Sequence, residues 1–420
     1  MKKKLIAIVL CLAMVAAVVC VLAACDDGDY DYEITVWVGE GTDTITKEMI
    51  ETYNNGNKYG IKFKATVEIV SESKAAGNAM ATPQSAADIF CFAQDQLARL
   101  VQSDILATVL GSAQQSIIAN NDEGSVEATK VGGTIRAFPM TSDNGYFMYY
   151  DKRVISEEHK GNLNQIIDDI KNYKDSKNVG RVFSMNVTGG WYAASFFYAT
   201  GAKSEWTTND KGGFTDYVDT FNSAEGRIAL NAMNDLFKSG VLLDSDGVSA
   251  EDFNAAIPAA AVISGIWDYN TALAALGEEN LGIAPLPSFT VDGKDYQMVS
   301  YLGYKFMGVK AQTDGEKLLY LQDLATYLTG KACQEKRFDT VGWGPSNREL
   351  QQLDKVKASV ALKALAETKT VSQGQYPTNW WSEVEALVGN VKDYGIGNVG
   401  NYLDTYNTNI SKLVSSSAAQ

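Results

Sequence analysis

Histidine is almost missing from this chain of 420 residues: His159 is the only one, and it lies in the solvated run Glu157-Glu158-His159-Lys160. Ser-His-Asp and Cys-His catalysis and histidine-based metal sites thereby lose their main ingredient. Cysteine is scarce too, with five in all. Two of them fall in an N-terminal apolar run that ends at Cys25, and Cys91 and Cys333 stand far apart in apolar or helical patterns. A disulfide scaffold is excluded, and buried free thiols are expected. The Gly-x-Ser-x-Gly, P-loop, His-Glu-x-x-His and dinucleotide fingerprints are absent, and Val131-Gly132-Gly133 reads as a loop rather than a phosphate cradle. No metal, cofactor or catalytic residue is expected. Positive charge is in deficit, with 36 Lys and Arg against 51 Asp and Glu and a formal net charge of −15. Such a surface repels nucleic acid and anionic headgroups, so no nucleic-acid partner is expected and a neutral ligand fits better than an anionic one.

Long apolar runs are confined to the N-terminus. Lys2 to Lys4 form a basic start, Leu5 to Ala24 are apolar throughout, and Leu22-Ala23-Ala24-Cys25 closes the run. Twenty apolar residues could span a bilayer as a signal anchor. Small residues before the cysteine, followed by the acidic turn-former Asp26-Asp27-Gly28-Asp29, favour a cleaved signal over residues 1–24. The motif resembles the bacterial lipobox, which implies lipidation of Cys25, and residues 25–32 then read as a short tether. Because one acyl chain binds a membrane only marginally, durable anchoring needs two or more.

The remaining length exceeds the roughly 250–300 residues at which a single core stops growing, so two domains are expected. Ile34 to Val38 and Ile61 to Val67 alternate as strands do, and Thr46 to Tyr53 between them has helical character. Asp88-Ile89-Phe90-Cys91-Phe92 is the continuous apolar run of a buried parallel strand, leading into a helix over Gln94 to Gln102. Thr134 to Phe138 reads as a strand ended by Pro139. Helical stretches follow at Ser223 to Phe237, Gly315 to Leu328 and Val360 to Glu367. This alternation of strand and helix argues for an α/β fold with helices flanking a largely parallel sheet.

Aromatic residues are plentiful, with 21 Tyr and seven Trp, and many stand beside polar groups at element ends. Trp37 precedes Glu40, Phe92 precedes Asp95, Trp191-Tyr192 follow Thr188-Gly189-Gly190, Trp267 precedes Asp268, and Trp380-Trp381 lie between Asn379 and Ser382. An aromatic ring next to carboxylates and amides suits a neutral polyol, whose apolar ring face stacks while its hydroxyls bond at the edge. A lone tryptophan is more often core. For the doublet Trp380-Trp381 the polar neighbours favour a binding role, since full burial of both rings would be hard to satisfy. Carboxylates such as Glu40, Asp95, Asp143 and Asp268 also admit a glycosidase with paired acids, but they serve equally as hydroxyl acceptors.

Several of these segments together resemble family 1 extracellular solute-binding proteins of bacterial ABC importers, and among them the maltose/maltodextrin-binding branch. They are Asp88 to Leu97 with Gln102 to Ala107, Phe138 to Gly145 with Tyr150 to Lys152, Ser264 to Asp268, Ala284 to Phe289, and Gly342 to Asn347. The resemblance implies a two-lobed periplasmic-binding-protein-like fold with three inter-lobe crossovers, near Thr141, Ser300 and Thr329. One lobe would comprise residues 33–141 and 300–329, the other 142–299 and 330–420. Carried over by position, Phe92 takes the place of a stacking tryptophan and Asp95 that of a hydroxyl acceptor. Trp37 and Glu40 lie at the first-strand loop, and Asp143 or Asn144 near a family glutamate. Trp191 or Tyr192, Trp267 and Trp380 would be the stacking platform, with Trp381 beside it and Asp268 next to Trp267. Gln96 replaces a basic residue that commonly follows the aspartate. The implied protein is not an enzyme but a monomeric, lipid-anchored receptor on the outer face of the bacterial cell membrane. It would bind a sugar, a malto-oligosaccharide by resemblance, and deliver it to the permease subunits of an ABC transporter. The alternatives are a cell-surface glycoside hydrolase and a receptor for a peptide or polyamine.

Overall fold

The computed structural model describes residues 29–208, 214–377 and 379–417. The expected signal, Cys25 and the first residues of the tether lie outside these. Tyr32, expected as the last tether residue, already pairs with Phe63 as the first residue of a strand. No helix among the described residues is long and apolar enough to cross a membrane.

Two five-stranded sheets organise the chain. The first runs Phe63–Ile69, Tyr32–Val38, Ile89–Ala93, Lys305–Val309, Phe138–Thr141. Its first three strands are parallel, and Lys305–Val309 enters antiparallel between Ile89–Ala93 and Phe138–Thr141. Along Ile89–Ala93 the side chains alternate between two cores. Ile89 and Cys91 face one, and Phe90 and Phe92 the other. A strand buried on both faces accounts for the continuous apolar run. Pro139 sits inside Phe138–Thr141 rather than ending a strand before it. This strand is at the sheet edge with a register shift beside Pro139, where a missing N–H is tolerated. Val131-Gly132-Gly133 belongs to a small hairpin between Lys130–Val131 and Thr134–Ile135, both glycines having positive φ.

The second sheet runs Leu242–Leu243, Val182–Ser184, Ala259–Gly265, Tyr146–Asp151, Leu281–Ala284. The helices Gly190–Thr200, Ala224–Phe237 and Trp380–Tyr394 pack together beside it around a core that includes Phe183, Phe197, Leu230 and Val388. Cys91 and Cys333 are buried free thiols.

The chain passes between the lobes three times. The first passage joins Phe138–Thr141 to Tyr146–Asp151, and the second runs through the short strand Ser300–Leu302 into Lys305–Val309. Residues 330–352, expected in the second lobe, bond instead to the first. Gln334 donates to Asn121 and to the Thr329 carbonyl, the backbone N–H of Asp122 donates to the Ser346 carbonyl, and Arg348 donates to the Asn121 carbonyl. Thr329-Gly330 is thus a bend between two helices of one lobe, with Gly330 at the N-terminus of the helix Lys331–Val341. The third passage lies further on. The helix Val360–Glu367 packs on second-lobe strands, and Thr370–Ser372 pairs in parallel with Ser300–Leu302.

Candidate functional site

Where the passages bring the lobes together, aromatic side chains from distant segments meet. Trp191, on the first turn of the helix Gly190–Thr200, lies parallel to Tyr301 of the crossing strand, with ring centres 5.9 Å apart and planes within 9°. Tyr146 meets Trp191 edge-on at 4.7 Å, Tyr192 lies 5.0 Å from Trp191, and Trp267 is 6.1 Å from it. Trp381 stands edge-on to Tyr301 at 6.2 Å and to Tyr376 at 4.8 Å. Trp191, Tyr192, Trp267 and Trp381 are each only partly buried and supply the open faces of this wall, while Tyr146, Tyr301 and Tyr376 are buried and support it. The indole Nε1 of Trp191 is buried without a hydrogen-bond partner among the described residues. Two glycines permit the approach. A Cβ on Gly145 would lie 2.2 Å from the Tyr301 carbonyl oxygen, and one on Gly190 would lie 2.7 Å from the Trp381 carbonyl oxygen.

Asp95 meets this wall from the first lobe. It follows Ile89–Ala93 in a 3₁₀ turn and accepts from Trp381 Nε1 at 3.1 Å, Gln96 Nε2 at 2.7 Å and Gln373 Nε2 at 3.1 Å. Gln373 in turn accepts from Asn144 through its side chain and from Gln94 through its backbone carbonyl. Burial pushes the Asp95 carboxyl up to about 6, against the pull of the Trp381 and Gln96 hydrogen bonds and the Arg99 charge. Arg99, one helical turn on, donates to the Gln96 side chain.

The other expected residues divide clearly. Asp268 accepts from Ser264 Oγ at 2.6 Å and from the Ala250 backbone, and burial raises its carboxyl. Its bonds brace the turn that carries Trp267. Asp143 accepts from the Gly344 backbone at the first crossing and is also raised by burial. Glu40 is exposed on the turn after the first strand. Trp37 donates to Glu68 at 2.9 Å and packs on Phe90 inside the first lobe, away from the wall. Phe92 is fully buried between Phe90 and Phe306, so it is a core ring and offers no stacking face. Trp380 is fully buried as well. Its ring lies flat on Tyr376 at 4.2 Å, and its Nε1 reaches the Tyr406 hydroxyl and the Asp219 carboxylate. Those two partners satisfy the indole from segments far away in sequence.

The wall offers apolar ring faces with a carboxylate and amides at its edge. That is the equipment for binding a polyol: C–H faces stack, and planar acceptors and donors take the hydroxyls. His159 is remote from this chemistry, paired with Asp169 at 2.8 Å. Among the described residues no group of His, Cys, Asp or Glu is placed to hold a metal ion.

Residues 48–364 match the family model described as bacterial extracellular solute-binding protein. The chain belongs to that family. Solved structures with the same two-lobed fold include one with acarbose, at 26% identity and TM-score 0.77, covering 91% of this chain and 99% of that one. A maltodextrin-binding protein from L. casei BL23, solved without ligand, is 20% identical with TM-score 0.73, covering 91% and 100%. The maltotriose-binding protein of Thermus thermophilus, bound with maltotriose, is 19% identical with TM-score 0.74, again covering 91% and 100%. A search of curated protein sequences finds no match.

Sequence reasoning missed Tyr146, Tyr301, Tyr376 and Gln373 of this solute-binding protein. Tyr301 did carry a signal, since it adjoins the crossing expected near Ser300. The others sit in unremarkable local sequence, and only the crossing strands bring them to the wall.

Proposed function

We propose that this solute-binding protein captures a neutral oligosaccharide, a malto-oligosaccharide, between its lobes and presents it to the permease of an ABC importer. The observation that carries this reading is the wall of Trp191, Trp267 and Trp381, joined through the buried Tyr301, with the Asp95 carboxylate at its edge. Asp95 and Trp381 are the first-lobe and second-lobe contacts, with Trp191, Tyr192 and Trp267 as stacking rings. Relatives solved with acarbose and with maltotriose support the sugar class. Ligand that touches both lobes favours the closed form and shifts the population towards it, which is what a permease reads. Binding rather than hydrolysis accords with carboxylates that are already engaged: Asp95 by Trp381 and Asp268 by Ser264.

Calorimetry with maltotriose tests the site. Binding to the unmodified chain and a loss of roughly tenfold or more in Trp267→Ala is expected for a stacking ring, whereas equal affinities would remove Trp267 from the site. The chain is anchored through lipid on Cys25 outside the cytoplasm, and Cys25→Ser releases it from the membrane fraction on cell fractionation. Retention of that variant would rule out the lipid anchor.

A further inference from the structure

Glu72, Trp267 and Trp343 meet around the Lys305 ammonium, and neither Glu72 nor Lys305 stands out in the sequence. Lys305 opens the crossing strand between Ala93 and Thr141 and is 4% exposed. Its ammonium lies 4.0 Å from the ring centre of Trp343 and 5.2 Å from that of Trp267. Indole faces attract a cation but do not satisfy the three N–H donors of an ammonium. Glu72, at the start of the helix Glu72–Ala81, is 8% exposed and puts Oε1 3.9 Å from that ammonium. This is ionic contact beyond hydrogen-bond range. Glu72 Oε1 has no hydrogen-bond partner among the described residues. Gly39 makes room for the carboxylate, because a Cβ there would lie 2.2 Å from Oε1.

A buried ion pair repays its desolvation only by closing to hydrogen-bond distance and filling its remaining donors and acceptors. Here the pair is held open, with a free acceptor facing unused donors and an aromatic ring beside it. A sugar hydroxyl fits that gap, since it can accept from the ammonium and donate to the carboxylate at once. Trp267 joins the pair to the wall that runs through Trp191 and Tyr301 to Trp381 and Asp95.

We propose that Glu72 and Lys305 form a second hydroxyl-binding subsite beside Trp267, in which one ring of an oligosaccharide stacks on Trp267 while its hydroxyl bridges the two charges. This rests on the sugar reading above. Trp343, itself buried, lies against the ammonium.

Calorimetry with maltotriose on the full chain, Lys305→Met, Glu72→Gln and the double variant tests the subsite. Each single change is expected to weaken binding roughly ten- to hundredfold, as for a lost hydrogen bond to a charged group. The double variant should lose less than the two losses added, because either change alone breaks the bridge. Should Lys305→Met not fold, Glu72→Gln, which keeps the shape and removes the charge, decides alone. Unchanged affinity in the folded variants, or fully additive losses, overturns the subsite and leaves the sugar reading standing. If the unmodified chain binds no malto-oligosaccharide, both fall.

Discussion

Trp380 and Trp381 are consecutive residues on the first turn of one helix, pointing to different faces. Trp380 enters the second-lobe core, flat on Tyr376, with its indole N–H held by Tyr406 and Asp219. Burial keeps the Asp219 carboxyl above its ordinary range, while bonds from Ser204, Tyr406 and Trp380 oppose that rise. Trp381 is half-buried and bonds across to Asp95. The two substitutions to alanine should therefore separate stability from binding. Trp380→Ala removes a fully buried ring and is expected to cost about 3–5 kcal/mol, read as a lower midpoint in urea unfolding. Trp381→Ala should change that midpoint much less and weaken maltotriose binding instead. Equal midpoint shifts in the two variants would contradict this division.

At the level of elements, much was legible where one segment supplies its own evidence. The helices at Gly315–Leu328 and Val360–Glu367 run over the residues their periodicity marks, and Asp314 and Ser359 cap their N-termini. The apolar run at Ile89–Ala93 is a strand because both its faces are covered. Properties that depend on partners far along the chain were not legible. The resemblance implies a crossing near Thr329, yet the segment that follows returns to the first lobe through Gln334 and Ser346, which meet Asn121. Polar neighbours of Trp380 argued for exposure, but its hydrogen-bond partners come from Asp219 and Tyr406. Of the rings expected to stack, Trp191, Tyr192, Trp267 and Trp381 reach the wall, while Phe92 turns inward because its strand alternates between two buried faces. Lys305 gave no signal of its own, and its meaning depends on Glu72, Trp267 and Trp343 arriving from elsewhere.

For the whole molecule, the decisive contact is between lobes. Asp95 belongs to the first lobe and Trp381 to the second, and where the lobes meet the carboxylate is buried and accepts the indole N–H. Covering raises the Asp95 carboxyl to about 6, whereas opening returns it to water and towards the ordinary carboxylate value of roughly 4. Closure therefore takes up a proton between those two values. Its contribution from Asp95 is fully present below about pH 4 and is lost as pH rises through about 6. Arg99, on the same segment, pulls the carboxyl down and so narrows the window without reversing its sign. Asp143 and Asp268 are also raised by burial, but their bonds lie within the crossing and within the second lobe, so an Asp95 variant separates its effect from theirs. In small-angle scattering of the ligand-free chain, the radius of gyration should fall as pH drops from 7 to 5, because protonation favours the closed form. Asp95→Asn, which keeps the shape and cannot titrate, should flatten that dependence. An unchanged pH profile in Asp95→Asn would assign the proton uptake to another group and leave Asp95 as a hydrogen-bond acceptor without a part in closure.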